Sequence, residues 1–164
     1  MADAGAASPV DLVVEDARWE AAGLEAVAGR SAAAVLVATG RDPGRHELAL
    51  LACDDASIAG LNTAFRDRPV PTNVLSWPAF AGEPPAPGAG EPLFLGDIAM
   101  AYETCAREAE AAGLSLGDHA AHLVIHGVLH LLGHDHVVEE EAEAMEDIET
   151  KTLASLGIAD PYSR

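Results

Sequence analysis

The feature that most constrains the fold is a histidine-rich stretch, residues 118–136, which has the pattern of one apolar helix as far as residue 132. Six of the seven histidines in the 164-residue chain lie in this stretch, separated mainly by aliphatic residues. Ser115, with Asp118 three residues later, is typical of a capped helix N-terminus. A helix that is apolar on most of its circumference must be packed on several sides. The sequence therefore predicts that this helix lies at the centre of the fold.

The spacing of the histidines indicates a metal site. His126 and His130 are four residues apart, so on a helix they share one face, with Cβ atoms about 5–6 Å apart. Zinc binds imidazole nitrogens at about 2.0–2.1 Å, which suits such a pair. Gly133 stands where a left-handed residue would end the helix and turn the chain back. We therefore expect His136 to complete a three-histidine site whose fourth position is open to water.

The neighbouring polar residues have two interpretations each. His122, one turn earlier on the same stripe, is expected either beside the metal ligands or as an ordinary core histidine. Asp135 either orients a ligand imidazole or caps the turn, and His119 and His134 are expected at the surface or as caps. Because a buried imidazole without a partner costs on the order of 1–3 kcal/mol, the metal interpretation of the cluster is favoured.

One position separates this motif from that of zinc peptidases. Those enzymes carry H-E-x-x-H-x-x-G-x-x-H, in which the glutamate is the general base. Gly127 stands at the position of that glutamate, so ordinary peptide hydrolysis is disfavoured. Gly127 either allows close packing of the helix or leaves room for a bulky substrate beside the metal. A zinc peptidase without the usual glutamate remains an alternative.

The rest of the chain alternates strand-like and helix-like patterns. The spacing of the apolar residues and the local composition predict strands at 10–15, 46–53, 72–77 and 93–100. The same signals predict further helices at 19–38, 55–65, 101–112 and 145–156. This order predicts an α+β single domain with a four-stranded mixed sheet and about five helices, and the metal site at the end of the central histidine-bearing helix. We expect residues 1–164 to form this one domain, with a flexible leader at 1–9 and an exposed, mobile Pro/Gly-rich loop at 78–92.

Charge argues against an open nucleic-acid or membrane surface. The chain has 27 acidic and 9 basic residues, a net charge of −18, which repels polyanions and anionic membranes. Seven of the acids fall in residues 139–149, where a solvated helix face would hold them. Four of the nine bases form a possible local basic surface: Arg41, Arg45, Arg66 and Arg68.

Compartment and redox state follow from what the sequence lacks. No run approaches the about 20 apolar residues of a membrane span, and the first nine residues have no basic start followed by an apolar stretch. We therefore expect a cytoplasmic protein. Cys53 and Cys105 match no metal or redox spacing, so buried reduced thiols are expected.

Three segments together resemble a known family. Residues 126–136, H-G-V-L-H-L-L-G-H-D-H, resemble the signature of the YbeY family of bacterial metal-dependent endoribonucleases. L-N-T-A-F-R at 61–66 with P-T-N-V-L-S at 71–76, and L-G-D-I at 95–98, agree with it. The resemblance implies a single-strand-specific endoribonuclease in 16S ribosomal RNA 3′-end maturation and ribosome quality control. It also implies one zinc ion per chain, or another divalent transition metal, and the small ribosomal subunit with its assembly factors as partners, rather than DNA or a membrane.

The resemblance further implies a functional arginine at Arg66. A planar guanidinium can bind a phosphodiester and neutralise the charge that develops during cleavage, whereas without the resemblance Arg66 is an ordinary surface residue. Arg68 is expected to contact the RNA. The chain departs from the family pattern at Pro69, where an acidic residue is common, and at Trp77, which replaces the usual phenylalanine. Trp77 and Phe65 either stack on a base or belong to the core.

We assign catalysis to Arg66, His126 and His130. One alternative is a protein that is not an enzyme. The chain could be a non-catalytic ribosome-assembly factor whose metal is structural. Structural zinc sites are closed by a fourth protein ligand. A fourth ligand such as His122 or His134 would therefore favour that alternative.

Overall fold

Four strands, β1 (Val10–Val14), β2 (His46–Cys53), β3 (Val74–Pro78) and β4 (Leu93–Ala101), form one mixed sheet in the order β1-β2-β4-β3. The structure, a computed structural model, describes residues 8–135 and 138–162, without the side chain of Arg66. β2 pairs in parallel with both β1 and β4, whereas β3 pairs antiparallel with β4. Because β3 stands last in the strand order, it is an edge strand. The predicted α+β fold with a four-stranded mixed sheet is confirmed, and residues 1–7 of the predicted leader lie outside the described residues.

Six helices are present in the described part of the chain. They are α1 (Arg18–Ala21), α2 (Leu24–Ala38), α3 (Asp55–Arg66), α4 (Tyr102–Ala112), α5 (Leu116–Leu131) and α6 (Glu139–Ser155). The single helix predicted at 19–38 is two helices, because the backbone turns at Gly23 with a φ of 73°. Within residues 8–135 and 138–162, no helix has the length and apolarity needed to cross a membrane.

Local capping explains where two of the helices begin. The side chain of Asp54 accepts a hydrogen bond of 2.8 Å from the backbone N–H of Ser57 at the start of α3. At the start of α5, the Ser115 hydroxyl accepts a bond of 3.1 Å from the N–H of Asp118, as predicted. Each cap satisfies a backbone donor that the helix itself leaves without a partner. The capped start fixes the position of the histidines along α5.

Helix α5 lies in the main core, as predicted. Nine of its residues are buried, chiefly against α2 and the sheet. Along β2, Leu48 and Leu50 face this main core, whereas Leu51 and Cys53 face a smaller cluster beneath α3 on the opposite side of the sheet. The sheet is therefore covered on both faces, and packing in the main core fixes the position of α5.

The Pro/Gly-rich loop at 78–92 is mostly exposed, and two arginines anchor it to the rest of the fold. The guanidinium of Arg41 donates a bond of 2.7 Å to the carbonyl of Pro84, and that of Arg45 donates a bond of 3.1 Å to the carbonyl of Gly90. Composition does not reveal these long-range anchors. The same two arginines therefore hold the loop, and only part of the predicted basic surface remains for a ligand.

Candidate metal centre

A stripe of three histidines crosses the exposed side of α5. His122, His126 and His130 are half-buried, whereas most of their aliphatic neighbours are buried. The ring centroids of His122 and His126 are 6.5 Å apart, and those of His126 and His130 are 4.6 Å apart. The stripe lines an open cavity of about 730 Å³ whose other walls include Ser76, Phe80, Gly133, His134, Asp135 and Tyr162.

His126 and His130 converge as the spacing predicts. Their Nε2 atoms are 3.0 Å apart, and two ligands of a tetrahedral zinc ion lie about 3.3 Å apart. The pair therefore fits a zinc-like ion. The third predicted ligand, His136, lies outside the described residues. Within the described ranges, no group of three His, Cys, Asp or Glu side chains is arranged to hold a metal.

The end of α5 turns the chain back at the predicted glycine. Gly133 has a φ of 95°, its N–H donates to the carbonyl of His130 at 3.0 Å, and the next N–H, of His134, donates to the carbonyl of Leu129 at 3.0 Å. This pair of bonds is the Schellman motif, which favours glycine at the left-handed position. The helix therefore ends at Leu131, one residue after His130.

A buried carboxylate binds the histidine stripe from the neighbouring helix. Glu149 of α6 has no exposed surface. Its Oε2 accepts a hydrogen bond of 2.6 Å from Nδ1 of His126, and its Oε1 accepts bonds from Nε2 of His122, at 3.0 Å, and from the hydroxyl of Tyr162. Burial raises the pKa of Glu149, but the hydrogen bonds from His122, His126 and Tyr162 outweigh it and lower the pKa to about 2. Glu149 is therefore an ionised acceptor at neutral pH.

Sequence reasoning missed Glu149. The residue lies within the acidic run at 139–149, which the pattern assigns to a solvated face. A signal was nevertheless present, because Glu149 is four residues from both Met145 and Leu153, which are buried on the apolar face of α6. A carboxylate on a buried stripe requires hydrogen-bonding partners, and the histidines of α5 supply them.

The other polar residues of the motif take different places. Asp135 is exposed at the rim of the cavity, and His134 lines it. His119 points away from this group, since its Nε2 lies 2.9 Å from a carboxylate oxygen of Glu108 on α4. The Nε2 of His122 is engaged by Glu149 rather than directed to His126 and His130.

The predicted RNA-contacting arginines lie at the end of α3. Arg66 is the last residue of that helix, and its side chain lies outside the described part, so its role stays a prediction. Arg68 is exposed, and its backbone N–H donates to the carbonyl of Asn62 at 3.2 Å. Phe65 and Trp77 form an edge-to-face pair with centroids 5.6 Å apart. Trp77 also packs against the smaller core cluster, so the core interpretation holds for it.

Gly127 packs against the sheet. A Cβ at this position would lie 2.9 Å from Cδ1 of Ile98 on β4. The close-packing interpretation of this glycine therefore has a direct structural basis. A glutamate here would have to enter the interface between helix and sheet, so the general base of the zinc peptidases has no room on this face.

Comparisons with known proteins agree with the motif. The sequence model of the family "Endoribonuclease YbeY" matches residues 15–157. The chain is 50% identical to an endoribonuclease YbeY of Dinoroseobacter shibae, over 98% of this chain and 93% of the relative. It is 52% identical to one of Ruegeria pomeroyi, over 94% of this chain and 98% of the relative.

A solved structure shows the same fold. A solution structure of a Thermotoga maritima protein matches with a TM-score of 0.57 and 20% identity, over 94% of this chain and 99% of that one. The fold and the sequence thus agree over nearly the whole chain, and the chain belongs to the endoribonuclease YbeY family.

Proposed function

We propose that this protein is a metal-dependent endoribonuclease that cleaves single-stranded RNA. The observation that carries the proposal is the convergence of the Nε2 atoms of His126 and His130, 3.0 Å apart, in an open cavity. Family membership supplies the reaction class, because the relatives are named endoribonucleases. The family is one of metalloenzymes, and the donor set suits a zinc-like ion.

Each residue of the site has a defined task in this proposal. His126 and His130, with His136, hold one ion per chain. Such an ion, when bound, supplies Lewis acidity toward a phosphoryl oxygen and toward water. Arg66 binds the phosphodiester and stabilises the negative charge that develops as the bond breaks. His122 and Asp135 line the cavity around these groups.

The physiological substrate in this proposal is ribosomal RNA, at the 3′ end of the 16S molecule. The net charge of −18 disfavours binding to free nucleic acid. Arg41 and Arg45 are engaged with the loop at 78–92, so they do not offset this charge at the site. Arg66 and Arg68 then provide the local contact with phosphate. The small ribosomal subunit and its assembly factors supply further basic surface in the cytoplasm, and residues 1–164 act as one domain.

Two alternatives are less well supported. The first alternative is a zinc peptidase, and the contact between Gly127 and Ile98 leaves no room for the glutamate that serves as general base in those enzymes. The second alternative is a non-catalytic assembly factor with a structural metal. Such a closed site needs a fourth protein ligand, but the Nε2 of His122 is bound to Glu149. The open cavity beside His126 and His130 favours a site that receives a substrate.

The test compares substrates and two histidine variants. Zinc-loaded protein is given an unstructured RNA, the same RNA as a duplex, and casein. We expect cleavage of the single strand only, lost in His130→Ala and retained in His119→Ala, whose ring contacts Glu108 outside the cavity. Casein degradation that His130→Ala abolishes, or no RNA cleavage by the loaded protein, would contradict the proposal.

A further inference from the structure

We propose that Glu149 is a positioning residue of the metal centre: its buried carboxylate fixes the tautomer of His126 that directs a lone pair from Nε2 toward His130. This inference rests on the proposed metal-dependent function and adds a residue of α6 to a site otherwise built from α5 and the turn after it. Glu149 acts through His126 and does not itself contact the ion.

The hydrogen-bond geometry determines which nitrogen carries the proton. Three hydrogen-bonding groups surround the carboxyl group of Glu149: the hydroxyl of Tyr162 donates to Oε1, Nε2 of His122 lies 3.0 Å from the same oxygen, and Nδ1 of His126 lies 2.6 Å from Oε2. In this geometry the carboxylate accepts a hydrogen bond at each oxygen. Nδ1 must therefore carry the proton. A neutral imidazole has one N–H, so Nε2 is left with the lone pair that a metal requires.

The carboxylate is itself held from two sides. Its second oxygen, Oε1, accepts from Nε2 of His122 at 3.0 Å and from the hydroxyl of Tyr162. Tyr162 is held in turn by its backbone N–H, which donates to Asp160 at 2.8 Å. Glu149 thus has a donor for each oxygen, so rotation of the carboxylate would break at least one of these bonds.

Replacing one oxygen by nitrogen reverses this arrangement. In Glu149→Gln, the amide oxygen can keep both donors that now reach Oε1, from His122 and Tyr162. The amide NH₂ then faces Nδ1 of His126 and requires it to accept. The imidazole proton moves to Nε2, and the lone pair is withdrawn from the metal position. The volume of the side chain is unchanged, so packing is preserved.

Metal binding is the first measurement. Zn²⁺ alone is titrated into the full chain in competition with a chromogenic chelator, and the matched control is Glu143→Gln, the same change at an exposed position of α6. We expect affinity to fall about 10–100-fold in Glu149→Gln and to stay unchanged in Glu143→Gln. Equal affinities in the two variants would overturn the inference.

The tautomer of His126 is the second measurement, and a merely structural role for Glu149 would not move it. Long-range ¹H–¹⁵N spectra recorded at pH 8 before zinc is added, and assigned with His126→Ala, report which ring nitrogen carries the proton. We expect the Nδ1–H form in the unchanged protein and the Nε2–H form in Glu149→Gln. An Nε2–H form in the unchanged protein, or the same form in both, would overturn the inference.

The two measurements separate this inference from the proposed function. If Glu149→Gln fails to fold, the spectrum of the unchanged protein decides, because it requires no substitution at Glu149, only the assignment with His126→Ala. Zinc binding and the tautomer need no RNA, so both can come out as expected while RNA is not cleaved, in which case only the proposed function fails. If the unchanged protein cleaves RNA and Glu149→Gln binds zinc equally well, only the role of Glu149 fails.

Discussion

Gly133 and Gly82 are in direct backbone contact: a Cβ built on Gly133 would lie 2.7 Å from the carbonyl carbon of Gly82. Gly133 ends the histidine helix, and Gly82 belongs to the loop at 78–92. The loop therefore packs on the turn that leads from His130 toward His136. Through this contact, a distant Pro/Gly-rich segment shapes one wall of the cavity.

Gly133→Ala is expected to destabilise the protein more than the same change at another helix end. Gly113 is the matched control, because it also follows a helix with a positive φ, of 71°, but has open space around it. A left-handed alanine costs about 1–2 kcal/mol at either position. At Gly133, the clash with Gly82 adds the about 1–3 kcal/mol typical of overpacking. Urea unfolding measures both free energies, and equal losses would show that the loop does not press on the turn.

Arg41→Ala is expected to release the loop at 78–92. The Arg41 side chain is 13% exposed, and it donates to the carbonyls of Pro84 and Pro85 at 2.7 and 3.1 Å. Limited thermolysin digestion should cut the loop faster in this variant than in Arg30→Ala, a change at an exposed position of α2. Identical digestion rates in the two variants would mean that Arg41 does not anchor the loop.

Much of the fold could be predicted because it depends on local signals. The strand at 46–53, the cap at Ser115 and the reversal at Gly133 each follow from a few adjacent residues. The strand order depends on contacts between distant segments, which no local pattern encodes. The break at Gly23 was missed because the apolar spacing continues through it on both sides.

The candidate metal centre was likewise predictable only where it depends on local sequence. His126 and His130 share one helix, so their spacing predicted that they converge. Glu149 comes from another helix, and its partners are visible only once α6 is packed on α5. Likewise, the anchoring of the loop by Arg41 joins residues more than 40 positions apart, so composition alone could not reveal it.

Arg66→Ala is expected to slow RNA cleavage by about 10²-fold or more, the scale of losing one charge-stabilising donor. Zinc content and thermal stability should not change, because the predicted task of Arg66 is to bind phosphate. Arg66→Lys should recover only part of the rate, since an ammonium cannot form the bidentate contact. The rate is measured at saturating single-stranded RNA.

Arg68→Ala is the contrast for Arg66. It is expected to weaken RNA binding, most strongly at low salt, and to lower the salt dependence of binding by about one charge, with little effect on the saturated rate. Binding isotherms at several salt concentrations test this. If Arg66→Ala cleaves as fast as the unchanged protein at saturation, Arg66 has no part in the chemistry.

Neither thiol is expected to react in the folded protein. Cys53 and Cys105 are buried and free. Burial, reinforced by the nearby carboxylates Glu15 and Asp54, raises the pKa of Cys53 to about 12, and burial likewise raises the pKa of Cys105. Because the thiolate is the nucleophile, iodoacetamide at pH 8 should label both residues only after unfolding. Rapid labelling of the native protein would contradict this.

The contribution of these thiols to stability has a definite sign. Their pKa values are higher in the folded than in the unfolded chain, where a thiol titrates near about 8.5. Their contribution to the free energy of unfolding is therefore fully present below the pKa of the unfolded thiol. For Cys53 it declines as the pH rises toward about 12. Urea unfolding at pH 7 and pH 10, compared with Cys53→Ala, measures the decline, and a pH dependence that is the same in both proteins would contradict it.

The most direct test of the metal-dependent nuclease is the rate of single-stranded RNA cleavage as a function of bound metal. Protein stripped with chelator is reloaded with zinc in steps, and metal content and rate are measured on the same samples. We expect no cleavage by the stripped protein, a rate that rises in proportion to bound zinc up to about one ion per chain, and neither binding nor cleavage in His126→Ala, His130→Ala or His136→Ala. Full cleavage by stripped wild-type protein in excess chelator would contradict a metal centre at these histidines.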